Sequence, residues 1–540
     1  AITTGIRNTA VGAASLDAEV AGHYSTAMGY GALSVQSNAS STAVYNTAVG
    51  YLAGAAVTTG INNTLIGGLA GDALTDADYN VAIGADSLTT DTLGSGAIAI
   101  GQGALGTQNF TTATTNYNIG IGYAAGTAVT TGIRNTLIGG LAGDALTDAD
   151  ENVAIGFQAL STDTVGSMSV AVGAGALKTQ NPATATNMYN VGVGQDAGND
   201  ITTGVQNTIV GGLSGDSLTV GQENIALGYN ALTLDTKGSH SVAIGSHALL
   251  QQNFTTATNS FNVAIGSSAG QQVTTGTKNT LIGGLAGDAL TTGSENVSLG
   301  YGSLSADDLG SHSVAVGASA LASQNYATAT DSYNTAVGSF AGYAITTGVQ
   351  NTLIGRGAGD NITSGDSNIV IGKGVDAASA TADSQLNIGG WIVGATGQIT
   401  KPLQPAFLAK PASQQDNISN DGNLNIIVFG TEVYDVGANF ASNAFTAPVT
   451  GKYQMDVSIW LANLDSAAAY YSIRLVTSNR TYEFDFDPDF GQDAGRWSVA
   501  FSVLADMDAS DSVTVQVLQS GGTAQTDIAT ATYWSGYLAC

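Results

Sequence analysis

The densest group of residues that could do chemistry lies near the C-terminal end of this 540-residue chain. Asp485, Asp487 and Asp489 alternate with apolar residues in a short segment that ends at Phe490. Carboxylates so close together suit calcium, for which Asp485 and Asp487 are the candidate ligands. A glycosidase would need a cleft and two differently tuned acids as well. We interpret the segment as a solvated loop, or as a cation or receptor contact at an exposed tip made by these four residues, and we do not expect catalysis.

The remaining reactive side chains are few and are not arranged as a catalytic or metal site. The chain has four histidines and one cysteine, and none of them has a metal-ligand spacing. We expect the histidines to be exposed polar groups of the repeats: His23, His240, His247 and His312. Cys540 is interpreted as an exposed terminal thiol or as an interchain bond. The sequence therefore predicts no enzyme and no cofactor other than calcium.

A repeat of 72 residues occupies most of the chain. A segment that begins Thr-Thr-Gly recurs at residues 58, 130, 202, 274 and 346. Within each block, Asn or Ser followed by small or branched residues and Gly recurs in steps of 17, 17, 17 and 21 residues. This shorter pattern gives 21 rungs between Asn8 and Asn368. A fixed period of this kind predicts a β-solenoid, whose turns must stack to bury an apolar face.

One rung shows how each turn is expected to form. Alternation predicts a short strand with Val153 and Ile155 facing inward and Ala154 facing outward. Gly156 permits the positive φ of a sharp turn, and the Ala-Leu pair that follows predicts a second inward-facing segment. Asparagines at the same place in successive turns can form a hydrogen-bonded ladder along the axis. At about 4.8 Å a turn, the solenoid would be on the order of 100 Å long.

The small volume of each turn predicts self-association. Because about 17 residues enclose little space, we expect that one coil cannot shield its own apolar interior and that three chains wind together. The iterated Asn/Ser-x-Ala-Ile/Val-Gly-x-x-Ala pattern resembles the head repeats of YadA-type trimeric autotransporter adhesins over roughly residues 1–390. That resemblance implies a parallel β-roll shaft and a homotrimer. The chain differs in its longer rungs and 72-residue period, and it shows neither the heptad stalk nor the membrane barrel of those adhesins.

Two further features recur once in every block. The 21-residue step carries four extra residues and predicts a line of loops along one face. The aromatic residues of these loops are candidate glycan contacts, or they pack the loops: Phe110, Phe254 and Tyr326. An aspartate also recurs after Ala-Gly or Ser-Gly, and it is interpreted as a turn cap or as a calcium ligand. These aspartates are Asp72, Asp144, Asp216, Asp288 and Asp360.

The repeat is predicted to end after Asn368, and a different domain follows. Residues 373–400 lose the period, and Lys401–Pro405 is interpreted as a stiff linker. From residue 406 the sequence predicts short antiparallel strands separated by turns, which are typical of a β-sandwich or jelly roll. Segment 445–457 is very similar to the signature of the globular heads of complement and tumour-necrosis-factor-like proteins. Further matches to that class, in the expected order along the chain, lie at residues 405–407, 437–440, 511–515 and 535–538. The resemblance implies a ten-stranded jelly roll that trimerises through an apolar face.

We therefore expect an all-β chain in three parts: a β-roll shaft over residues 1–390, a neck over 391–405 and a jelly-roll knob over 406–540. The net charge of −28, from 41 acidic and 13 basic residues, argues against a nucleic-acid partner, because phosphate binding needs a basic surface. No segment is long and apolar enough to suggest membrane insertion.

A long trimeric shaft with a C-terminal knob is the layout of a viral receptor-binding fibre. We expect a bacteriophage tail fibre, part of the virion, whose knob binds a host-surface glycan or protein. The N-terminal side would attach to tail or baseplate proteins, and three knobs on one axis would raise avidity. The alternative is a secreted or cell-surface trimeric adhesin or structural filament, against which the C-terminal position of the knob and the absence of an anchor argue. A polysaccharide-cleaving tailspike is a third candidate.

Overall fold

The computed structural model describes residues 2–395, 398–400 and 404–539, and it divides the chain into two compact units, Ala1–Gly389 and Gly390–Cys540. Linker residues 401–403 and the thiol of Cys540 lie outside the described residues. All regular elements of the described residues are β-strands, which confirms the all-β class. No helix in this part of the chain is long and apolar enough to cross a membrane.

The first unit is a parallel β-solenoid of 22 turns. Each turn contributes one three-residue strand, which pairs in parallel with the strand 17 or 21 residues later, as Val153 does with Val170 and Ile155 with Val172. The strands are Thr9–Val11, Thr26–Met28, Thr47–Val49, Thr64–Ile66, Val81–Ile83, Ile98–Ile100, Ile119–Ile121, Thr136–Ile138, Val153–Ile155, Val170–Val172, Val191–Val193, Thr208–Val210, Ile225–Leu227, Val242–Ile244, Val263–Ile265, Thr280–Ile282, Val297–Leu299, Val314–Val316, Thr335–Val337, Thr352–Ile354, Ile369–Ile371 and Leu386–Ile388.

The solenoid has one turn more than the sequence predicts, so the expected end after Asn368 is wrong. Strand Leu386–Ile388 pairs in parallel with Ile369–Ile371. Gln385 stands where the earlier turns have Asn or Ser, and its backbone N–H donates to Asn368 Oδ1 at 2.8 Å. Asn387 replaces the usual small or apolar residue in the middle of this strand. These two replacements hide the last turn in the sequence.

The predicted inward and outward positions of the strand are reversed. Ala154 is fully buried in the solenoid interior, whereas Val153 and Ile155 are half-buried on the outside. The interior is narrow, and each turn fills it with small residues and one or two large aliphatic side chains. Where the strand carries Ala, a leucine from the following segment, such as Leu160, fills the space. Where the strand carries Leu137, the facing residue is Gly143, at which a Cβ would lie 2.8 Å from the leucine Cδ2.

A single coil therefore buries its own interior, and the expectation that it cannot is wrong. The buried alanines and leucines form continuous core clusters along the unit. The apolar surface that remains lies outside, on the first and third residues of the 22 strands, which we call the outer stripe. Its third residues are all aliphatic or Met, its first residues are Thr, Val, Ile or Leu, and none is charged. Several of the third residues are strongly exposed, among them Val11 at 53% and Ile354 at 40%.

A ladder of buried asparagines joins successive turns, as the sequence predicts. Asn135 shows the pattern: its Oδ1 accepts from the backbone N–H of Asn152 at 3.0 Å, and its Nδ2 donates to the carbonyl of Ala149 at 2.7 Å. The same pair of bonds recurs at Asn63, Asn80, Asn207, Asn279 and others. The amides thus satisfy backbone groups that the short strands leave unpaired.

The extra four residues of each 21-residue step form a second, shorter β-pairing. In each block two strands of two residues pair in parallel across the step. These pairs are Gly22–His23 with Thr42–Ala43, Gly94–Ser95 with Thr114–Thr115, Gly166–Ser167 with Thr186–Asn187, Gly238–Ser239 with Thr258–Asn259 and Gly310–Ser311 with Thr330–Asp331.

The second unit begins with a hairpin and continues as two antiparallel sheets. The hairpin pairs Ile392–Ala395 with Gln398–Thr400 within the expected neck. The first sheet has the order Thr431–Val436, Ala406–Lys410, Tyr533–Leu538, Gly451–Leu464 and Ala494–Met507, with Asp527–Ile528 beside Gly451–Leu464. The second has the order Phe440–Ala441, Ala444–Thr446, Ser512–Gly521, Ala468–Thr477 and Thr481–Phe486, with Asn425–Ile426 beside Ser512–Gly521. These two sheets, each with five strands in sequence and one short additional strand, surround one core and form the predicted jelly roll, which we call the head.

Aromatic side chains fill the core of the head. Phe407 stacks on Phe440 and Phe445 at centroid distances of 5.0 and 4.8 Å, and Trp534 packs edge-on against it at 4.8 Å. Phe407, Phe445 and Trp534 are fully buried. Large rings of this kind supply much of the apolar burial that a small sandwich needs.

Candidate functional site

One end of the head gathers the exposed loops and aromatic residues, and we call this end the tip. Strand Gly451–Leu464 runs to the tip, where Trp460 pairs with Ser498 and Leu464 with Ala494. The first strand of the head lies toward the other end of the sandwich, since Ala406 pairs with Tyr537, which in turn pairs with Gln454. The tip is thus remote from the point where the chain enters the head.

The acidic segment predicted as a contact lies at the tip and is exposed. Asp485 lies opposite Ser472 near the end of edge strand Thr481–Phe486, and the N–H of Asp489 donates to Asp487 Oδ1 at 3.2 Å. The Phe490 ring, 40% exposed, lies 4.7 Å from the Trp497 ring. The structure therefore places all four predicted contact residues on one exposed segment, Asp485 in the edge strand and the other three in the loop that follows it.

The candidate calcium ligands are not part of a cluster of three acidic, histidine or cysteine side chains in the described part of the chain. Within the described ranges, no three His, Cys, Asp or Glu side chains converge as ligands, whereas calcium takes six to eight oxygens. In the repeated aspartates, burial raises the pKa of Asp144 and Asp288.

The shaft aromatics predicted as glycan contacts are buried, so that prediction is wrong. Phe110 and Phe254 are 5% exposed and Tyr326 is 4% exposed. The Tyr326 hydroxyl donates to the carbonyl of Gly348 at 2.9 Å. The four extra residues of the long step need an apolar anchor of their own, and these rings provide it. The alternative interpretation, that they pack the loops, is the one that the structure shows.

Sequence reasoning missed a row of buried carboxylates beside these rings. Each accepts a hydrogen bond from the Nε2 of a glutamine 17 residues later in the sequence, and all are 0% exposed: Glu19, Asp91, Asp163, Asp235 and Asp307. Asp307 also accepts the N–H of Gly310 at 2.9 Å, and burial raises its pKa to about 6. Their 72-residue spacing and the paired glutamines were visible in the sequence. These groups fix the long step from inside and are closed to solvent.

Two histidines belong to an outward ladder of side chains, as surface polar groups. His312 lies 3.2 Å from both Glu295 and Asp331 and stacks on Tyr333 at 5.0 Å. His240 lies 3.2 Å from Glu223. The partners are carboxylates and rings from neighbouring turns, which is an arrangement that ties turns together.

Comparison with known proteins concerns only the head. No protein-family model matches the chain, and no curated protein sequence matches it. Among solved structures, the globular domain of zebrafish complement 1qA protein is similar at 16% identity, covering 25% of this chain and 98% of that domain, with a TM-score of 0.20. Murine APRIL at pH 8.5 is similar at 10% identity, with the same coverages and the same TM-score.

These similar structures belong to the complement and tumour-necrosis-factor-like class that the head signature resembles. The fold assignment depends on the strand order of the head itself, since identities this low carry no functional conclusion. The confirmed features of the chain are a β-solenoid and a jelly-roll head.

Proposed function

We propose that the chain is a homotrimeric receptor-binding fibre, a bacteriophage tail fibre whose head binds a glycan or protein of the host surface. The N-terminal side of the shaft would join tail or baseplate proteins, and the protein would be part of the virion. A repetitive shaft followed by a compact head favours this function, because it separates a contact surface from its point of attachment.

The outer stripe is the observation that carries the proposal. It runs along all 22 turns without a charged residue, although charged residues make up 10% of the chain. At about 4.8 Å a turn and about 7–10 Å across, its area is on the order of 700–1,000 Å². The largest apolar patch of a monomer is typically about 300–600 Å², and a stable interface buries about 800 Å² per partner. Sister chains that wind in parallel would cover such a stripe along its whole length.

The tip of the head is the surface that best fits receptor contact. It combines exposed aromatic rings with carboxylates that can accept hydrogen bonds from hydroxyl groups. The rings suit the apolar side of a sugar or peptide, and the carboxylates suit its polar side. In a trimer three such tips would share one axis, and their avidity would offset weak single contacts.

A secreted or cell-surface trimeric adhesin or structural filament is the second candidate. It shares the trimeric shaft and differs in what the shaft is attached to. Gold-labelled antibodies against residues 406–539, applied to phage particles and bacterial cells of the source sample, separate the two. Label at the free ends of tail fibres is the expected result, whereas label confined to cell surfaces would favour the adhesin.

The oligomeric state provides an independent check. Sedimentation of the full chain, at 53.9 kDa per copy, should give three times that mass. A monomer at micromolar concentration would refute the homotrimer and with it the proposed fibre.

A further inference from the structure

A recess at the tip has the chemistry of a small binding site. Its volume is about 300 Å³, and its lining residues are Trp460, Arg496, Trp497 and Ser498. Trp460 and Ser498 are directly opposed on neighbouring strands. Arg496 lies on the same strand as Ser498, two residues earlier in the sequence. The volume is at the lower end of the range for small-molecule sites, and it fits a ligand of about one or two sugar rings.

Arg496 is the unusual member of this recess. The head and shaft together have 13 basic residues against 41 acidic ones, so a basic side chain has many possible acidic partners. Within the described part of the chain, three Lys or Arg side chains make such pairs, for example Arg134 with Glu151 at 2.8 Å and Arg474 with Glu483 at 3.1 Å, and the others make none. Among the residues that the structure describes, Arg496 makes no ion pair and its guanidinium has no hydrogen-bond partner. Its fork of N–H donors is therefore free for a ligand.

The nearest acid in sequence is already engaged. Asp493 Oδ1 accepts both the backbone N–H and the hydroxyl of Ser466, each at 2.9 Å. These bonds hold Asp493 to the neighbouring loop rather than to the guanidinium. A planar guanidinium matches a carboxylate with two parallel hydrogen bonds, and this pairing is stronger than a bond between neutral groups.

The rest of the recess suits the body of a sugar. Trp460 is 37% exposed and offers a flat apolar surface beside the guanidinium. The Ser498 hydroxyl can donate to or accept from a sugar hydroxyl. Trp497 is itself backed by Phe490 at a ring distance of 4.7 Å, which steadies one wall of the recess. A cation, an aromatic plane and a hydroxyl within one recess together favour an anionic, ring-shaped ligand.

We propose that this recess binds a carboxylated sugar, with Arg496 pairing with the carboxylate and Trp460 stacking on the ring. The inference rests on the proposed receptor-binding function, for which it names the ligand class. It also gives the head a preference that neutral glycans do not satisfy.

The test uses the full chain and beads that carry glucuronic acid, N-acetylneuraminic acid or glucose. Retention on at least one acidic sugar should exceed retention on glucose by about tenfold or more and should weaken with added salt. Arg496→Gln should lower retention to the glucose level, and Trp460→Leu should weaken it as well. Arg480→Gln is the matched control, because it removes the same charge from the turn at the other end of the head.

The outcomes separate the inference from the function on which it rests. Equal retention on all three sugars, or equal loss in Arg496→Gln and Arg480→Gln, would overturn the carboxylated-sugar site. If the protein then still binds host cells, the proposed receptor-binding function stands and only the ligand class fails. A change of sedimentation in Arg496→Gln without loss of cell binding would mean that a second copy of the chain occupies the recess, which also overturns the inference.

Discussion

Two adjacent glycines of one turn should respond in opposite ways to the same substitution. Gly139 has φ of 135°, and a Cβ there would lie 2.7 Å from the carbonyl carbon of Gly156 in the next turn. Gly140 has an ordinary backbone, and a Cβ there would meet only the Phe157 ring, at 3.6 Å. Gly139→Ala should therefore destabilise the shaft, whereas Gly140→Ala should leave it unchanged or slightly more stable.

The magnitudes follow from these geometries. A side chain forced into a sparsely populated backbone conformation costs about 1–3 kcal/mol. At Gly139 the clash with Gly156 adds to this cost, because two stacked turns must move apart by several tenths of an ångström. At Gly140 the lost freedom of the unfolded chain stabilises the folded state by about 0.4–1 kcal/mol. The two variants should thus differ by at least about 2 kcal/mol in the free energy of unfolding of the shaft.

The assay is thermal and denaturant unfolding of the full chain, followed by far-ultraviolet circular dichroism. Both variants add one methyl group at neighbouring positions, so expression, charge and mass are matched. Equal melting temperatures for Gly139→Ala and Gly140→Ala would refute the turn geometry assigned to Gly139 and to the equivalent glycines of the other turns. Gly156→Val should likewise destabilise the shaft, since Gly156 is the equivalent glycine of the next turn and has φ of 139°.

Two further predictions concern buried polar groups. Asn135→Ala leaves the N–H of Asn152 and the carbonyl of Ala149 buried without partners, and should cost about 2–6 kcal/mol of shaft stability in the same assay. The control Asn181→Ala, at an exposed loop position, should cost under about 0.5 kcal/mol. Equal losses of stability in the two variants would contradict the asparagine ladder. Burial raises the pKa of Asp307 from 3.8 to about 6, so the folded state binds a proton more tightly than the unfolded state does. This group therefore makes the shaft up to about 3 kcal/mol more stable at pH 4 than at pH 7. Melting at both pH values should show that Asp307→Asn loses this part of the pH dependence; an unchanged dependence would mean that Asp307 is hydrated.

The sequence period predicts the architecture of the shaft well but not its inside and outside. Alternation shows that Val153 and Ile155 share a face and that Ala154 lies on the other. Which face is inside depends on the volume of the closed turn, and this volume is a property of the whole coil. The narrow interior accepts Ala154 with one leucine and excludes two branched residues per strand. The apolar stripe therefore lies outside, where it favours the proposed self-association for a different reason from the expected one.

In the head, strands with strong apolar alternation were predictable and edge strands were not. Segments around Tyr453, Ile473 and Val515 alternate clearly because one side faces the core. The edge strand Thr431–Val436 carries exposed residues at most positions and therefore shows no such pattern. The carboxylates of the acidic segment are exposed, although Phe486 within it stacks on Tyr471. The recess beside it depends on pairing between Trp460 and Ser498, which are distant in sequence.

The regular stacking of the turns also makes the reach of the molecule easy to change in evolution. Every block ends in the same register in which it begins, so the strand after one block can pair with the strand before any other. Deletion or duplication of one block, for example residues 130–201, would leave each hydrogen bond of the new junction with an equivalent partner. Recombination between the segments that encode successive blocks would then shorten or lengthen the shaft in increments of about 19 Å, four turns at a time. A lineage could in this way match a thicker or thinner surface layer on its target without redesigning the head.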